Sequence, residues 1–172
     1  MLGLEKGVVR LFDYSDQWPH AFEQERRRIE LAIGDFVLST NHVGSTSVPG
    51  LCAKPIIDIL IGLKIFEYGF QCVTPLEQIG YTFKGENGIQ GRHYFQKGEP
   101  CTFHIHMFEQ NSDQWHAHIL FADYLRRNPE RKQQYAELKR VLAQAYPHDR
   151  VKYTNRKSEF IQETMRLASF TK

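Results

Sequence analysis

The sequence predicts an α+β domain, a mixed β-sheet with flanking helices whose C-terminal third is helical. Three observations lead there. Pro55–Ile61 is almost wholly aliphatic, the mark of a central strand covered on both faces. Two strand-like stretches, Arg92–Lys97 and Cys101–Phe108, flank the turn residues Gly98-Glu99-Pro100, and the second alternates Phe103, Ile105 and Met107 with His104 and His106. Beyond residue 111 the apolar residues recur at helical spacing.

The elements follow in order. Val8–Phe12 reads as a short strand, and Asp13–Asp16 turns the chain. Asp16 is placed to cap a helix with Pro19 in its first turn. That helix runs to about Ile33, with Phe22, Ile29 and Ile33 on one face. Glu23, Glu25, Arg26, Arg27, Arg28 and Glu30 surround it as a solvated surface. Gly34 is expected as its C-cap. Phe36–Val43 is a strand that delivers Gly44-Ser45, and Pro55–Ile61 is the central strand. Thr74-Pro75 opens a short helix ending at Gly80, followed by a strand at Tyr81–Lys84 and a polar, glycine-rich loop at Gly85–Gly91. After the two antiparallel strands, Asn111, Ser112 or Asp113 caps a helix to Arg127 that carries Trp115, Ile119, Phe121, Tyr124 and Leu125. Pro129 opens the next, to about Tyr146, with Tyr135, Leu138 and Leu142 buried. Pro147-His148-Asp149 breaks it, and a last helix from about Tyr153 turns Phe160, Ile161, Met165 and Leu167 inward.

Length and composition bound the function. A chain of 172 residues suits one domain, covering 1–172, and 41% apolar with 24% charged residues is ordinary for a soluble globular protein. No run approaches the ~20 apolar residues a membrane span needs. Met1–Arg10 carries no apolar signal core. A net charge of +2 does not suggest a nucleic-acid-coating surface. Cys52, Cys72 and Cys101 are odd in number and irregularly spaced, which indicates neither a disulfide framework nor a zinc ribbon and fits a reducing cytoplasm.

The chemistry concentrates around Gly44-Ser45-Thr46. A Gly-Ser turn exposes backbone N–H groups and makes a candidate anion cradle. Lys54 and Asp58 place one cation and one carboxylate on either side of it. An acid inside an aliphatic strand is partly buried and needs a partner or a metal. The two-residue period of a strand points His104 and His106 to one face. Together these groups can hold a phosphate on the turn and a divalent cation between Asp58 and an imidazole, neutralising charge on a transferred phosphoryl or nucleotidyl group. A plain strand-loop-strand connection with hydrogen-bonded core histidines is the competing reading. The two His-x-His pairs, His104/His106 and His116/His118, together invite a zinc hydrolase site of three or four imidazoles with an Asp. At a helix start, however, residues i and i+2 point about 200° apart and cannot share one ion. Tyr153, Arg156 and Lys157 head the last helix, by default an ordinary solvated helix start, although a lysine there opposes the macrodipole, a placement that suits a ligand.

The sequence resembles the GrpB-like family of the nucleotidyltransferase superfamily over almost its whole length. The resemblance runs through Tyr14–Pro19 with Phe22, then the long stretch from His42-Val43-Gly44-Ser45-Thr46-Ser47-Val48-Pro49-Gly50-Leu51 to Lys54-Pro55-Ile56-Ile57-Asp58. It continues in Arg92–Phe95, His104-Ile105-His106, Trp115 and Phe121-Ala122-Asp123-Tyr124-Leu125-Arg126, and ends with Tyr135, Leu138-Lys139, Tyr153 and Lys157. It implies a nucleotidyltransferase-like fold with the Gly-Ser turn near a nucleotide triphosphate. Related domains fused to dephospho-CoA kinase point to nucleotide or coenzyme handling. The sequence also departs from the superfamily. Nucleotide-transferring members follow Gly-Ser with an acid-x-acid pair and a third carboxylate, together holding two Mg²⁺. Here Asp58 stands between Ile56 and Leu60, and the third-carboxylate strand carries His104 and His106. Imidazole suits Mn²⁺, Zn²⁺ or Ni²⁺ better than Mg²⁺.

The expectation is therefore a nucleotidyltransferase-fold protein that binds a nucleotide or other phosphate-bearing small molecule. Asp58, His104 and His106 are its candidate catalytic residues and the ligands of one divalent metal (Mn²⁺, Zn²⁺ or Mg²⁺). Gly44, Ser45, Thr46, Lys54, Arg92, Tyr153 and Lys157 are its candidate substrate-binding residues. No organic cofactor, nucleic acid or membrane is indicated. The rival is a non-catalytic ligand-binding or sensor module that kept the cradle and lost the two-metal chemistry.

Overall fold

The computed structural model describes residues 2–170. Its strands are β1 (Val37–Val43), β2 (Ile57–Leu63), β3 (Tyr81–Phe83), β4 (His93–Lys97) and β5 (Phe103–Glu109), in the spatial order β1-β2-β5-β4-β3. β2 and β5 run parallel while the other neighbours run antiparallel, which gives the expected mixed sheet. β2 is aliphatic because both its faces are covered. Ile57, Ile59, Ile61 and Leu63 pack with Phe95, Ile105 and Met107 beneath α1 (Gln17–Ile33), which contributes Trp18, Phe22, Ile29 and Ile33. Each such side chain contributes about 1.5–3 kcal/mol when fully buried. On the other face Leu60, Phe108 and Val43 meet Trp115 and Ile119 of α4 (Asp113–Arg127).

The same second face carries Asp58, His104 and His106. α5 (Pro129–Ala145) and α7 (Ser158–Ser169) pack against α4, and α5 and α6 (Arg150–Arg156) bring Lys139, Arg150 and Tyr153 to the cavity beside Asp58, while α2 (Tyr68–Gln71) and α3 (Val73–Gln78) lie between β2 and β3 in the chain. Ser112 starts α4 by accepting the Trp115 N–H at 3.3 Å. A second apolar cluster joins Val48, Leu51 and Cys52 to Ala122, Leu125, Tyr135 and Ala136, and so pins the segment after the Gly-Ser turn against α4 and α5.

Several local expectations are corrected. Val8–Phe12 forms no strand. Phe12 makes a single bridge to Ala53, and the Val9 N–H is taken by Pro147 O at 2.8 Å rather than by a ladder. Asp16 is itself helical and caps nothing; Ser15 Oγ accepts the Gln17 N–H instead, at 3.3 Å. Gly34 keeps a right-handed φ of −55° and continues into a 3₁₀ turn, Gly34–Phe36, rather than ending the helix in a left-handed cap. Glu25 is buried rather than solvated: Lys97 Nζ and Tyr81 Oη donate to its Oε1 at 2.5 and 3.0 Å, tying α1 to the far edge of the sheet. The last helix begins earlier, at Arg150, where Asp149 accepts the Lys152 N–H, and it is divided at Lys157.

Candidate functional site

β1 ends at Val43, and the chain must then reverse beside Asp58, its register partner on β2. Gly44 makes this turn with φ 69° and ψ −172°, a conformation open almost only to glycine. A Cβ at Gly44 would lie 2.7 Å from Asp58 Oδ2, so the lack of a side chain also lets the turn approach the carboxylate. Ser45–Ser47 follow as a 3₁₀ turn, closed by Ser47 Oγ donating to Gly44 O at 2.7 Å. Arg126 of α4 clamps it, donating to Ser47 O (3.1 Å) and Ser47 Oγ (2.9 Å). His42 stacks on Phe22 and meets Thr46 Oγ1 at 3.0 Å; burial pushes its pKa down to about 4, so it is a neutral support for the turn.

The parallel pairing of β2 with β5 sets Asp58 opposite His104 and Leu60 opposite His106. Asp58 Oδ1 consequently lies 3.1 Å from His104 Nδ1 and 3.1 Å from His106 Nε2. Burial by itself would raise the Asp58 carboxyl, but its hydrogen bonds to the two imidazoles outweigh burial and hold it well below the usual carboxylate range. Burial lowers the His106 pKa against the pull of Asp58. The outer ring nitrogens meet arginines: His104 Nε2 lies 3.4 Å from Arg150 Nη2, and His106 Nδ1 lies 3.3 Å from Arg92 Nη1.

Beside Asp58 opens a cavity of about 180 Å³ whose lining includes Gly44, Ser45 and Thr46. Lys54, Lys139, Arg150 and Lys157 line it too, four cations against the single carboxylate of Asp58. Lys139 Nζ donates to Ser45 Oγ at 3.0 Å and also to Cys52 O. Lys54 and Lys157 Nζ both lie over the Tyr153 ring, 5.5 and 4.4 Å from its centroid. Burial is the main cause that depresses all three ammonium groups, to about 7 for Lys54 and Lys139 and about 8 for Lys157; mutual repulsion among the cations adds to it.

The structure thus brings together nine of the ten residues singled out from sequence. Gly44, Ser45, Thr46, Lys54, Asp58, His104, Tyr153 and Lys157 line the cavity, and His106 joins through Asp58. Arg92 does not line it. Its guanidinium is buried behind His106, over the Tyr94 ring, and donates to Glu86 O and Asn87 O at 3.1 and 2.7 Å. Lys139 and Arg150 were not singled out as site residues. Lys139 had a signal in the sequence, since it falls on the buried stripe of α5 four residues after Tyr135 and three before Leu142. His116 and His118 are separated as expected. His116 meets the Trp115 ring, and His118 bonds Gln114 O with its ring 5.3 Å from that of His106.

Asp58, His104 and His106 offer ligand atoms that all lie within 4.8 Å of one another, close enough to hold a metal ion. Their surroundings do not fit one. An imidazole that binds a metal through one nitrogen carries its proton on the other and almost always donates it to a carboxylate, a backbone carbonyl or a water. Here both outer nitrogens face guanidinium groups, which have no acceptor.

The mixed sheet, the glycine-serine turn leaving an outer strand and the acid facing it make this a nucleotidyltransferase-like fold. The Cid1 poly(U) polymerase, solved with the UTP analogue UMPNPP, shares it at a TM-score of 0.51 and 16% identity, over 77% of this chain and 42% of that one. The chain belongs to the GrpB family, whose sequence profile, described as GrpB protein, matches residues 8–167. The crystal structure of GrpB from Enterococcus faecalis superposes at a TM-score of 0.87 with 37% identity, over 92% of this chain and 96% of that one. The chain is 42% identical to YqkA of Bacillus subtilis over 158 residues, 91% of its own length but only 46% of YqkA. It is 36% identical to the glutamate-rich protein GrpB of Alkalihalophilus pseudofirmus over 96% of this chain and 98% of that protein.

Proposed function

We propose that the cavity binds a phosphate-bearing small molecule of the nucleotide class, with its phosphate on the Gly44–Ser45 turn. The observation that carries this reading is the convergence of Lys54, Lys139, Arg150 and Lys157 on one turn with only Asp58 opposing them. Clustered, poorly hydrated cations repel one another, and an anion of charge −2 among them relieves that repulsion and the unmet hydration together. The nucleotide class is supported by the fold shared with Cid1, which was solved with a UTP analogue. The cavity, about 180 Å³, is smaller than the ~300–1,000 Å³ of sites that enclose a whole drug-sized ligand, so it takes the phosphorylated end and leaves the remainder outside.

The reading of binding without transfer is favoured over nucleotidyl transfer because the acid-x-acid pair is absent and the histidines face arginines. Isothermal calorimetry with ATP, CTP and dephospho-CoA tests the proposal. Binding to the wild-type protein is expected, weakened tenfold or more in Lys54→Met and in Lys139→Met. If none of the three binds, or both variants bind as the wild type does, the reading fails. Pyrophosphate release on incubation with ATP or CTP would establish the transferase reading in its place.

A further inference from the structure

We infer that Asp58, His104 and His106 form a metal-free, hydrogen-bonded anchor that leaves Asp58 Oδ2 open to a hydroxyl or amino donor on the bound phosphate compound. The anchor stands on the site geometry alone; the donor half rests on the phosphate-binding reading above.

The proton positions follow from the neighbours. A guanidinium has five N–H donors and no acceptor, so a ring nitrogen facing it presents its lone pair. Arg150 Nη2 faces His104 Nε2 and Arg92 Nη1 faces His106 Nδ1. With the outer nitrogens unprotonated, the imidazole protons sit on His104 Nδ1 and on His106 Nε2, the two nitrogens that meet Asp58 Oδ1. Both rings donate to one oxygen. A metal bound by the same two nitrogens needs lone pairs there, which would move each proton to the side facing an arginine. Arg92 cannot easily turn away, being buried and held also by Glu86 O and Asn87 O.

Asp58 Oδ2 is different. No hydrogen bond reaches it among the described residues, and it lies against Gly44, where a Cβ would come within 2.7 Å. Asp58 belongs to the cavity lining, and its side chain remains 30% exposed. A carboxylate accepts at both oxygens, so Oδ2 recognises a donor. The ligand that fits carries phosphate for the lysine side of the cavity and a hydroxyl or amino group for the Asp58 side. A bare phosphate leaves Oδ2 unused.

Nitrogen-15 NMR of histidine-labelled, EDTA-treated protein reads the anchor directly. The expected spectrum has the proton of His104 on Nδ1 and that of His106 on Nε2, and Co²⁺ titration of the wild type produces no ligand-field band and moves neither imidazole. Arg150→Gln, whose amide oxygen accepts the outer proton, should bind Co²⁺ at least tenfold more tightly than wild type. Lys54→Gln, which removes a nearby cation without touching an imidazole, should gain less. The opposite tautomers, or Co²⁺ ligated by both imidazoles of the wild type with micromolar affinity, would overturn the anchor. Calorimetry in EDTA reads the donor half: glycerol 3-phosphate should bind at least tenfold more tightly than methyl phosphate, with Asp58→Ala abolishing the difference and added Mn²⁺ changing neither value more than twofold. Equal affinities overturn it. If neither compound binds but the tautomers are as expected, the phosphate-binding reading falls and the anchor stands.

Discussion

Replacing Gly44 by alanine should destabilise the protein by about 2–4 kcal/mol, through two separable causes. At φ 69° and ψ −172° the backbone occupies a region that costs a residue with a side chain about 1–3 kcal/mol. The new methyl would also sit 2.7 Å from Asp58 Oδ2 and 3.2 Å from Asp58 Cβ and Cγ. The carboxylate cannot move aside freely, because Oδ1 is held by His104 and His106, and hydrogen bonds to a charged group contribute about 1.5–3 kcal/mol each. With the middle of each range, the loss of one of them, added to the strain and reduced by the ~0.4–1 kcal/mol that alanine gains from a stiffer unfolded chain, comes to about 3.5 kcal/mol, inside the stated range. For a chain of this size that lowers the melting temperature by roughly 5–15 °C. Urea denaturation of Gly44→Ala, Asp58→Ala and the double variant separates the causes. Removing the carboxylate takes away the clash but not the strain, so the two substitutions should couple favourably by about 1 kcal/mol or more. A loss below ~0.5 kcal/mol for Gly44→Ala, or strict additivity with Asp58→Ala, would refute the close approach of turn and carboxylate.

The pH dependence has a definite sign: burial holds Lys54 and Lys139 at about 7 and Lys157 at about 8, below the ~10.4 of an unfolded lysine, so the folded chain sheds protons that the unfolded chain keeps. Stability of the ligand-free protein should therefore rise between pH 7 and pH 9, and calorimetry at pH 8 in buffers of different ionisation enthalpy should show proton uptake when ATP binds; a falling urea midpoint or a buffer-independent enthalpy counts against the buried lysines. Arg126→Met should weaken ATP binding severalfold by releasing Ser47 O and Ser47 Oγ, and unchanged affinity in calorimetry would mean that the turn holds itself. Lys97→Met leaves the buried Glu25 carboxylate with Tyr81 Oη and the more exposed Arg28 and should cost about 1.5–3 kcal/mol in urea denaturation, while Glu25→Gln with Lys97→Met recovers most of it.

The turn and the facing groups were legible because they depend on local rules. A glycine before serine at a strand end, an acid among aliphatics and two histidines at a spacing of two each fix a side-chain direction with no knowledge of the neighbours. Their convergence was an added step, since it requires β2 and β5 to pair in parallel with Asp58 opposite His104, and no local pattern specifies which strands adjoin. The cations were read less well for the same reason. Lys139 contacts Ser45 across 94 positions of chain, and Arg150 reaches His104 across 46. A lysine on a helix is by default a solvated residue, and only the other wall of the cavity makes it otherwise. Glu25 and Arg92 fail in the same way, each charge being buried by a partner distant in sequence. Asp16 and Gly34 carry correct local signals that lost to nearer competitors, the Ser15 hydroxyl and a 3₁₀ continuation.

The missing second acid and the surplus of cations have one physical explanation. Ile56 and Leu60 share a face with Asp58, two residues to either side. Leu60 is sealed beneath α4 with Val43 and Phe108, where a carboxylate would be buried with no partner at a cost of several kcal/mol. Ile56 forms cavity wall, so one side of the pocket is apolar where an acid-x-acid pair would make it anionic. Two metal ions at such a pair would bring four positive charges to a phosphate and use carboxylates to hold them. Lys54, Lys139, Arg150 and Lys157 offer cationic groups from the protein itself, and a phosphate bound among them would draw protons back onto the three depressed lysines, with no acid needed beyond Asp58. In the proposed reading these cations hold the phosphate without a metal, and their positive charge opposes the approach of a divalent ion to Asp58. On the phosphate-binding reading proposed above, the lone acid and the basic wall belong together, side-chain charge standing where bound metal charge would otherwise be.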